Sequence, residues 1–305
     1  MATQKIRVAI VSTIKAPIEI LRQWIHFHLN AGIEGFFLFL DDPGDSSHKA
    51  LTAYETVRIV CCSNGYWKAL GGKRPGAIVS RQKVNLAQGV AMAASEGFDW
   101  VAHIDSDELI RPLKPMDQVL SGTNAAAIRL DLLEAVSEQM EYPGIFDTSL
   151  FKRLPDRKKA LAARLLGCRQ AFRFGEYFRG HTESKMLFRT DGSIKEMGIH
   201  KPIELRAGAT VGASAEVQLL HFDCIGFSDW DRKWQTRLGD SPDDYRMRPA
   251  RCRQFEAYRN ATVEGYEARI DLFRNIQMIP QREQKWLRKL GLLERLELDR
   301  GLFVR

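Results

Sequence analysis

Residues 99–110 read Asp-Trp-Val-Ala-His-Ile-Asp-Ser-Asp-Glu-Leu-Ile, an apolar run that ends on acidic side chains. Such a run is typical of a buried β-strand, and this strand would deliver carboxylates to its carboxyl end. Because side chains two apart on a strand point the same way, Asp105 and Asp107 can converge on one cation. Glu108 then points elsewhere or opens the next turn. Two hard carboxylate oxygens suit Mg²⁺ or Mn²⁺.

The competing interpretation is a polar turn that only closes the strand, since Asp-x-Asp alone is a weak signal. A second copy, Asp229-Trp230-Asp231, follows Ser228 and fits a capping box that starts a helix, so we interpret that copy as structural. The first copy differs in its place, because in open parallel sheets ligands bind outside the carboxyl ends of the strands. This placement favours a functional site at Asp105 and Asp107.

Strand and helix patterns alternate along the first half of the chain, which predicts an α/β protein. The predicted strands are 6–12, 36–40, 57–61, 99–104, 125–133 and 186–189, and the predicted helices are 17–32, 45–54 and 80–96, with further helices from Ser228 onward and a leucine stripe over 287–296. We expect a doubly wound, mostly parallel sheet in a domain of residues 1–225. A helical C-terminal extension of residues 226–305 follows.

The composition is that of an ordinary globular protein, with 305 residues, 45% hydrophobic residues and a formal net charge of +7. No stretch approaches the ~20 apolar residues of a membrane span, and the first residues lack the apolar core of a signal peptide, so we expect a cytoplasmic protein. The charge excess is concentrated in residues 151–179, where nine Lys or Arg residues stand against two acids. This basic segment is either a solvated helix face or a surface for an anionic partner. Without a nucleic-acid-binding motif, we favour an acidic glycan or a lipid-linked acceptor over nucleic acid.

Several motifs, taken in their order and spacing, resemble the family 2 glycosyltransferases, in particular a bacterial subgroup with a Trp-x-x-x-His-x-x-x-Gly helix near the start. The matching motifs are Trp24-Ile-His-Phe-His28-Leu-Asn-Ala-Gly32-Ile33, Phe37-Leu-Phe-Leu-Asp41-Asp42, Arg81-Gln82-Lys-Val-Asn85, Asp99 to Glu108, Gly198-Ile-His200-Lys-Pro202 and His221-Phe-Asp-Cys-Ile-Gly-Phe-Ser228. The resemblance implies a fold of the GT-A type that binds a nucleotide-diphosphate sugar. It also implies attack of an acceptor hydroxyl on the anomeric carbon of that sugar.

The resemblance further implies which residues contact the donor and the metal. The resemblance implies donor contacts at Thr13, Lys15, Asp42, Asp105 and Lys185. Arg81 and Gln82 at a helix start, and His200 after an apolar run, are added as candidate donor-binding residues from their positions. Many relatives have Lys or Arg followed by Asn-Glu after the first strand. This chain has Thr13-Ile-Lys15-Ala-Pro17 at that place, so Thr13 or Lys15 would make the contact instead. Mn²⁺ or Mg²⁺ would lie on Asp105 and Asp107, and a neutral imidazole at His221 would complete the metal shell.

Each of these assignments has a structural alternative. His200 and His221 are equally well explained as hydrogen-bonded structural residues. Lys185 is alternatively a strand-edge lysine that prevents aggregation. Arg81 and Gln82 either meet a phosphate or sugar hydroxyl at a helix start, or are ordinary first-turn residues.

The catalytic base of an inverting transfer should be an Asp or Glu near the acceptor hydroxyl. The candidates in the second half are Asp131, Glu134, Glu138, Glu183 and Asp223, and we favour Glu134 and Asp223. The sequence does not settle whether the transfer inverts or retains the anomeric configuration.

We expect a metal-dependent, inverting glycosyltransferase that serves surface-polysaccharide assembly, with peripheral contact at the inner membrane face. One rival is a nucleotidyltransferase, which usually has a Gly-rich signature directly after the first strand, whereas residues 12–17 contain no glycine. The other rival is a non-catalytic binding protein of the same fold.

Overall fold

The computed structural model describes residues 5–44, 47–239 and 248–304. The strands are β1 (Val8–Ile14), β2 (Gly35–Leu40), β3 (Val57–Cys61), β4 (Trp100–His103), β5 (Glu108–Pro112), β6 (Ala127–Ala135), β7 (Leu150–Arg153), β8 (Met186–Arg189), β9 (Ile194–Met197), β10 (Pro202–Leu205), β11 (Val211–His221) and β12 (Leu293–Arg295). The helices are α1 (Ile18–Asn30), α2 (Ser47–Leu51), α3 (Asn64–Ala69), α4 (Ile78–Ser95), α5 (Met116–Ser121), α6 (Arg157–Leu165), α7 (Phe227–Gly239), α8 (Pro249–Glu264), α9 (Tyr266–Gln277) and α10 (Gln281–Lys289).

The chain forms two compact units, and both are built from separate segments of sequence. The first unit comprises residues up to Asp131, then Glu183–Leu219, then residues from Asp299 onward. The second comprises Leu132–Thr182 and Leu220–Leu298. The chain therefore passes from one unit to the other inside β6 and inside β11. The division after residue 225 that we expect from the sequence stays a prediction.

The first unit contains a parallel block of strands in the order β3-β2-β1-β4. Ile10 in the middle of β1 pairs with Phe36 of β2 and with Ala102 of β4, both in parallel. Every residue of β1, β2 and β4 is buried, which explains their nearly continuous apolar sequences. The predicted α/β fold is confirmed, and the carboxyl ends of these strands meet at one edge.

Four further strand pairs of this sheet are antiparallel. In the first unit β8 lies between β4 and β6 and runs antiparallel to both. In the second unit β7 pairs antiparallel with the end of β6 and with β12. Among these strand pairs, parallel pairing occurs only between strands of the block β1–β4, the region where the sequence alternates most clearly between strand and helix.

Helices α1 and α4 show why the sequence predicts their bounds well. Pro17 directly precedes α1, and Gly32 ends it with a φ of 91°, a left-handed conformation that favours glycine. The predicted helix 80–96 is α4, and its Gly89 faces β1. A Cβ atom at Gly89 would lie 2.5 Å from Cγ1 of Val11, so this helix packs against the strand at a distance that only glycine allows.

Two details of the C-terminal prediction are wrong. Ser228 does not cap α7, because it lies within the first turn and its hydroxyl donates to Glu141 Oε1 at 2.6 Å. The leucine stripe does not follow one helix, because Leu287 lies in α10 whereas Leu293 begins β12. The predicted helix at 45–54 appears as α2, and residues 45 and 46 lie outside the described part of the chain.

Within the described ranges, no helix has both the length and the apolar character that crossing a bilayer requires.

Candidate active site

The first turns of α4 connect the carboxyl ends of β2 and β4, the strands on either side of β1 in the first unit. Arg81 forms a two-pronged ion pair with Asp41 after β2, with Nε–Oδ1 and Nη2–Oδ2 distances of 2.7 and 2.9 Å. Gln82 Nε2 donates to Oδ1 of Asp105 after β4 at 2.8 Å. Consecutive residues of one helix therefore hold the acids that follow two different strands.

Asn85 extends the same connection to β1. Its side-chain amide donates to Oγ1 of Thr13 at 2.9 Å, and its Oδ1 accepts a hydrogen bond from the hydroxyl of Tyr66 at 2.8 Å. Asn85 is fully buried, so both bonds replace hydration that the amide loses on folding. The Arg-Gln-x-x-Asn motif thus reaches the ends of β1, β2 and β4.

Asp105 lies at the centre of a tight turn between β4 and β5. Its backbone N–H donates to Oε2 of Glu108 at 2.8 Å, and the Glu108 N–H donates back to the Asp105 carbonyl at 3.1 Å. The hydroxyl of Ser12 in β1 donates to the carbonyl of Ile104 at 2.6 Å. Glu108 therefore turns back to hold residues 105–108, which we call the acidic loop, and this contact settles a direction that the sequence leaves open.

Lys185 is the cation of this acidic loop. Its Nζ lies 2.8 Å from Oδ2 of Asp105 and 3.6 Å from Oε2 of Glu108, and the residue is 1% exposed. Burial by itself lowers the pKa of Lys185, but the two carboxylates outweigh burial and raise the pKa above its usual value. The strand-edge alternative for Lys185 is wrong, because the residue is buried and β8 lies between two other strands.

The Trp-x-x-x-His motif of α1 supports β5, the strand that follows the acidic loop. Trp24 Nε1 donates to the carbonyl of Glu108 at 2.8 Å, and His28 Nε2 accepts from the N–H of Ile110 at 3.0 Å. His28 Nδ1 lies 2.7 Å from the carbonyl of Trp24. Burial lowers the pKa of His28 to about 3, so the ring is neutral. Trp24 and His28 therefore hold the backbone of β5, the strand that begins at Glu108.

A cavity of about 660 Å³ opens at the carboxyl edge of the parallel strands. Its walls include Lys15 after β1, Asp41 and Asp42 after β2, Ser63 and Asn64 after β3, and Arg74 from residues 71–76, which we call the Gly-rich loop. The structure thus brings the predicted donor-binding residues Lys15 and Asp42 together. Two carboxylates and two cations line this cavity, and a set of both charges suits a ligand that carries both hydroxyl and phosphate groups.

Arg81, a predicted donor-binding residue, is 8% exposed. Besides Asp41, its guanidinium donates to the carbonyls of Pro75 and Gly76 at 2.9 and 2.5 Å. It therefore fixes the Gly-rich loop that contributes Arg74 to the cavity. Arg74 Nη2 lies 3.1 Å from Oδ2 of Asp41. This geometry favours a positioning role for Arg81.

His200 lies half-buried in the turn between β9 and β10 of the first unit, and it is an electrostatic neighbour of His103. Thr13 is buried and bonded to Asn85 as described above. A donor-binding role for either residue stays a prediction.

The predicted base Glu134 belongs to the second unit and is 1% exposed. Its carboxylate accepts the backbone N–H groups of Arg179 and Gly180, each at 2.7 Å, and Lys152 Nζ lies 2.5 Å from Oε1. Burial lowers the pKa of Lys152 to about 8 despite the attraction of Glu134. With both oxygens engaged, Glu134 has the surroundings of a structural anchor.

The other predicted residues of the second unit lie near one another at the end of β11. His221 is buried, and a Cβ atom at Gly180 would lie 2.5 Å from its Cε1. Asp223 pairs with Lys233 at 2.7 Å and with Arg251 at 3.3 Å. Burial by itself raises the pKa of Asp223, but these cations outweigh it and hold the pKa well below its usual range.

Sequence reasoning missed three contributors to the site. Ser63 and Asn64 follow β3. Ligands of open α/β sheets bind outside the carboxyl ends of the strands, and applying this rule to β3 as well as to β2 and β4 identifies both residues. Glu108 was recognised as an acid but not as the partner of Lys185. This pair joins residues 77 positions apart, and a local sequence pattern carries no signal for it.

No protein-family model matches the chain. The chain is 23% identical over 285 residues to the Arabidopsis thaliana protein named Glycosyltransferase-like At3g57200, with 85% of this chain and 54% of that protein covered. It is 22% identical over 273 residues to the Arabidopsis thaliana protein named Glycosyltransferase-like At2g41451, with 78% of this chain and 58% of that protein covered. The chain thus spans little more than half the length of the curated relatives it matches.

Among solved structures, the chain is similar to S. aureus TarS 1-349 in complex with UDP, with a TM-score of 0.39, 12% identity, and coverage of 94% of this chain and 79% of that chain. The sequence comparisons show a chain that is similar to glycosyltransferase-like proteins over most of its length.

Proposed function

We propose that this chain is a glycosyltransferase of GT-A type, which moves a sugar from a nucleotide-diphosphate donor to a hydroxyl of a glycan or lipid-linked acceptor. The observation that carries the proposal is the edge of the parallel block, where the ends of β1, β2 and β3 line a cavity of about 660 Å³ and the end of β4 presents Asp105. Ligands of open α/β sheets bind at such edges. The relatives named glycosyltransferase-like support the same activity.

The cavity suits the nucleotide part of the donor in size and chemistry. Sites for small ligands commonly measure ~300–1,000 Å³, and this cavity falls within that range. Asp42 offers a carboxylate to ribose hydroxyls, and Lys15 with Arg74 offers positive charge to the diphosphate. The donor sugar would then extend toward Asp105 and Asp107.

Both oxygens of Asp105 are already bonded, Oδ1 to Gln82 and Oδ2 to Lys185, so Asp107, with Asp105 beside it, would be the main protein ligand of a divalent cation that arrives together with a diphosphate. Among the described residues, no group of three or more His, Cys, Asp or Glu side chains is arranged to hold a metal ion, and His221 belongs to the second unit. Mg²⁺ at phosphate sites is usually held by only one or two carboxylates, with phosphate and water as its other ligands. Asp105 keeps 35% of its side chain exposed, and Asp107 shares its turn. Bound Mn²⁺ or Mg²⁺ would stabilise the charge of the departing diphosphate.

We favour Asp223 over Glu134 as the base that takes the proton of the acceptor hydroxyl. Glu134 accepts two backbone N–H groups and faces Lys152, so its oxygens are occupied. Asp223 is also paired through both oxygens, but its partners are the side chains of Lys233 and Arg251, and the longer contact of 3.3 Å to Arg251 leaves Oδ2 able to accept a hydrogen bond from a hydroxyl. An inverting transfer with a single displacement needs one such base. The same proposal places the enzyme in surface-polysaccharide assembly in the cytoplasm, at the inner face of the membrane.

Thermal unfolding in the presence of UDP-, GDP- and CMP-sugars, with and without Mn²⁺, tests this proposal. A donor present at 100 times its Kd should stabilise the protein by ~2.7 kcal/mol. Asp107→Asn should remove the Mn²⁺-dependent part of this stabilisation. Asp117→Asn, a matched change at an exposed aspartate of α5, should leave it intact. If none of the nucleotide sugars stabilised the protein, the proposal would be contradicted.

Product analysis separates the rival functions. A glycosyltransferase releases a nucleoside diphosphate from the donor, whereas a nucleotidyltransferase releases pyrophosphate from a nucleoside triphosphate and a sugar phosphate. A binding protein of the same fold would show the thermal shift without either product.

A further inference from the structure

The second unit contains a cleft of about 1050 Å³ whose lining is strongly cationic. The basic cleft, as we name it, is lined by the cations Arg274, Lys285, Arg288, Lys289 and Arg295. The one acidic residue in its lining is Glu138. These cations come from α9, α10 and β12, so three separate elements converge on this cleft.

Helix α10 contributes the largest share of the charge. Lys285, Arg288 and Lys289 are three and four positions apart, so they lie on one face of the helix, and all three are exposed. Leu287 and Glu283 are buried on the other side. The carboxylate of Glu283 accepts the backbone N–H of Ala171 at 2.9 Å, which fixes the orientation of the helix. The cationic face is therefore held toward the basic cleft.

The cations of α10 have no acidic partner among the described residues. Arg295 is paired with Glu138 at 2.5 Å, and Arg274 is paired with Asp271 at 3.2 Å. Arg288 instead donates to the neutral side chain of Gln284 at 2.9 Å. The net charge of the cleft is thus positive, and most of the uncompensated charge lies along one turn of α10.

We propose that the basic cleft binds an acidic oligosaccharide, one that carries carboxylate or phosphate groups on successive sugar units. The cleft exceeds the volume that a single phosphate needs, and its cations are distributed over several elements. Gln139 and Gln281 line it with exposed amides, which suit sugar hydroxyls. No aromatic side chain is among its described lining residues, although base stacking on such side chains is the main device of single-stranded nucleic-acid binding. That the anion is a saccharide rests on the proposed function, in which it would be the acceptor.

This site differs from the basic segment that the sequence analysis emphasises. Within residues 151–179, Lys152 and Arg179 are buried around Glu134. Arg153 lies 2.5 Å from Glu294. Part of the local charge excess is therefore used inside the second unit, and the cleft beside α10 offers the better anion site.

Binding of an oligogalacturonate to the full chain at low ionic strength tests the proposal, with a neutral maltooligosaccharide of equal length as the comparison ligand. The triple variant Lys285→Ala/Arg288→Ala/Lys289→Ala should bind the acidic probe at least about tenfold more weakly, since charge-assisted hydrogen bonds contribute more than 1.4 kcal/mol each, which is about tenfold in Kd. The control triple Arg157→Ala/Lys158→Ala/Arg259→Ala removes the same charge from exposed positions of the same unit outside the cleft. It should change the Kd less than about twofold.

Equal affinity of the two triple variants for oligogalacturonate would overturn the proposal. Tighter binding of single-stranded DNA or of phosphatidylglycerol vesicles than of oligogalacturonate would overturn it as well. The cleft variant should keep the nucleotide-sugar thermal shift, because the proposed donor cavity belongs to the first unit and the basic cleft to the second. The thermal shift and the oligogalacturonate affinity therefore test the two proposals separately. If the wild-type chain showed no thermal shift with nucleotide sugars, and the cleft variant still lost affinity for oligogalacturonate, the proposed function would be contradicted. The cleft would then remain an anion site.

Discussion

Lys185 and His28 stabilise the acidic loop in opposite electrostatic ways. Lys185 is a buried cation that offsets the charges of Asp105 and Glu108. His28 is a buried neutral ring that bonds the backbone of β5 on the far side of the loop. We therefore expect the loop to keep this geometry only while Lys185 is charged and His28 is neutral.

His28 gives a prediction about stability. The N–H of Ile110 donates to Nε2, so the proton of the neutral ring lies on Nδ1. The pKa of His28 falls from 6.5 to about 3 on folding. Between these values the unfolded chain binds a proton that the folded chain excludes, so the free energy of unfolding should fall by ~1.4 kcal/mol per pH unit on acidification. His28→Gln should remove this contribution, as measured by urea denaturation from pH 7 to about pH 5.

The same titration separates packing from protonation. The glutamine side chain can still accept a hydrogen bond from the N–H of Ile110. At neutral pH, where the histidine ring is mostly neutral in the folded and in the unfolded chain, the difference in the free energy of unfolding between variant and wild type gives the packing cost of the substitution. A wild-type pH slope retained in His28→Gln would show that this ring does not titrate as its burial implies.

At the scale of elements, α4 organises the site. Its Arg81, Gln82 and Asn85 bind groups at the ends of β2, β4 and β1, respectively. These bonds keep their geometry only if the helix stays close to the sheet. Gly89, two turns along the helix, permits that approach.

Gly89→Ala should therefore destabilise the protein, although alanine normally favours a helix by ~0.5–1 kcal/mol over glycine. The new Cβ atom would lie 2.5 Å from Val11 Cγ1 and 3.1 Å from Phe39 Cε2, and both residues are fully buried. Overpacking of this kind costs ~1–3 kcal/mol. We expect a lower free energy of unfolding and a weaker nucleotide-sugar thermal shift, since displacement of α4 moves Gln82 away from Asp105.

Gly122→Ala is the matched control. This glycine follows α5 with a φ of −84°, and no atom lies within 4 Å of the position of a Cβ atom. Its substitution should change the free energy of unfolding by less than ~0.5 kcal/mol. If Gly89→Ala were as stable as Gly122→Ala, the close packing of α4 on β1 would be disproved.

The elements that the sequence predicts best are those with a local signal. The buried strands have apolar runs, α1 lies between Pro17 and Gly32, and the acids after β2 and β4 follow from the rule for parallel strands. Ser228 was assigned as a helix cap from local spacing, but its partner Glu141 is 87 positions away. Local patterns therefore place the carboxylates correctly, and they do not reveal the side chains that hold them.

At the scale of the whole molecule, each compact unit needs segments that are far apart in sequence. The first unit is completed by β8, which inserts between β4 and β6, and by the segment that begins at Asp299. A sequence read in order suggests one continuous domain followed by an extension. Strand pairing between distant segments is invisible in such a reading, because no residue of β4 indicates that its neighbour is 85 or more positions away.

The last prediction concerns the packing of the segment that begins at Asp299 on helix α1. Phe303 is 6% exposed, and its ring lies 5.1 Å from that of Phe27 in α1. The carbonyl of Leu302 accepts from the side chain of Asn30 at 3.0 Å. Phe303→Ala should lower the free energy of unfolding by about 3 kcal/mol, because a buried aromatic ring is lost and a cavity remains. Val304→Ala, at a residue that is 64% exposed, should change it by less than ~0.5 kcal/mol.

The effect of Phe303→Ala should extend to donor binding, because α1 carries the Trp24 and His28 side chains that support β5. A loosened α1 allows the turn at Asp105 to move, and we expect the nucleotide-sugar thermal shift to decrease with it. Urea denaturation measures the first effect and the thermal shift measures the second. If Phe303→Ala lowered stability and left the thermal shift unchanged, the support of the acidic loop by α1 would be structural only. Equal stability of the two variants would refute the packing of this segment on α1.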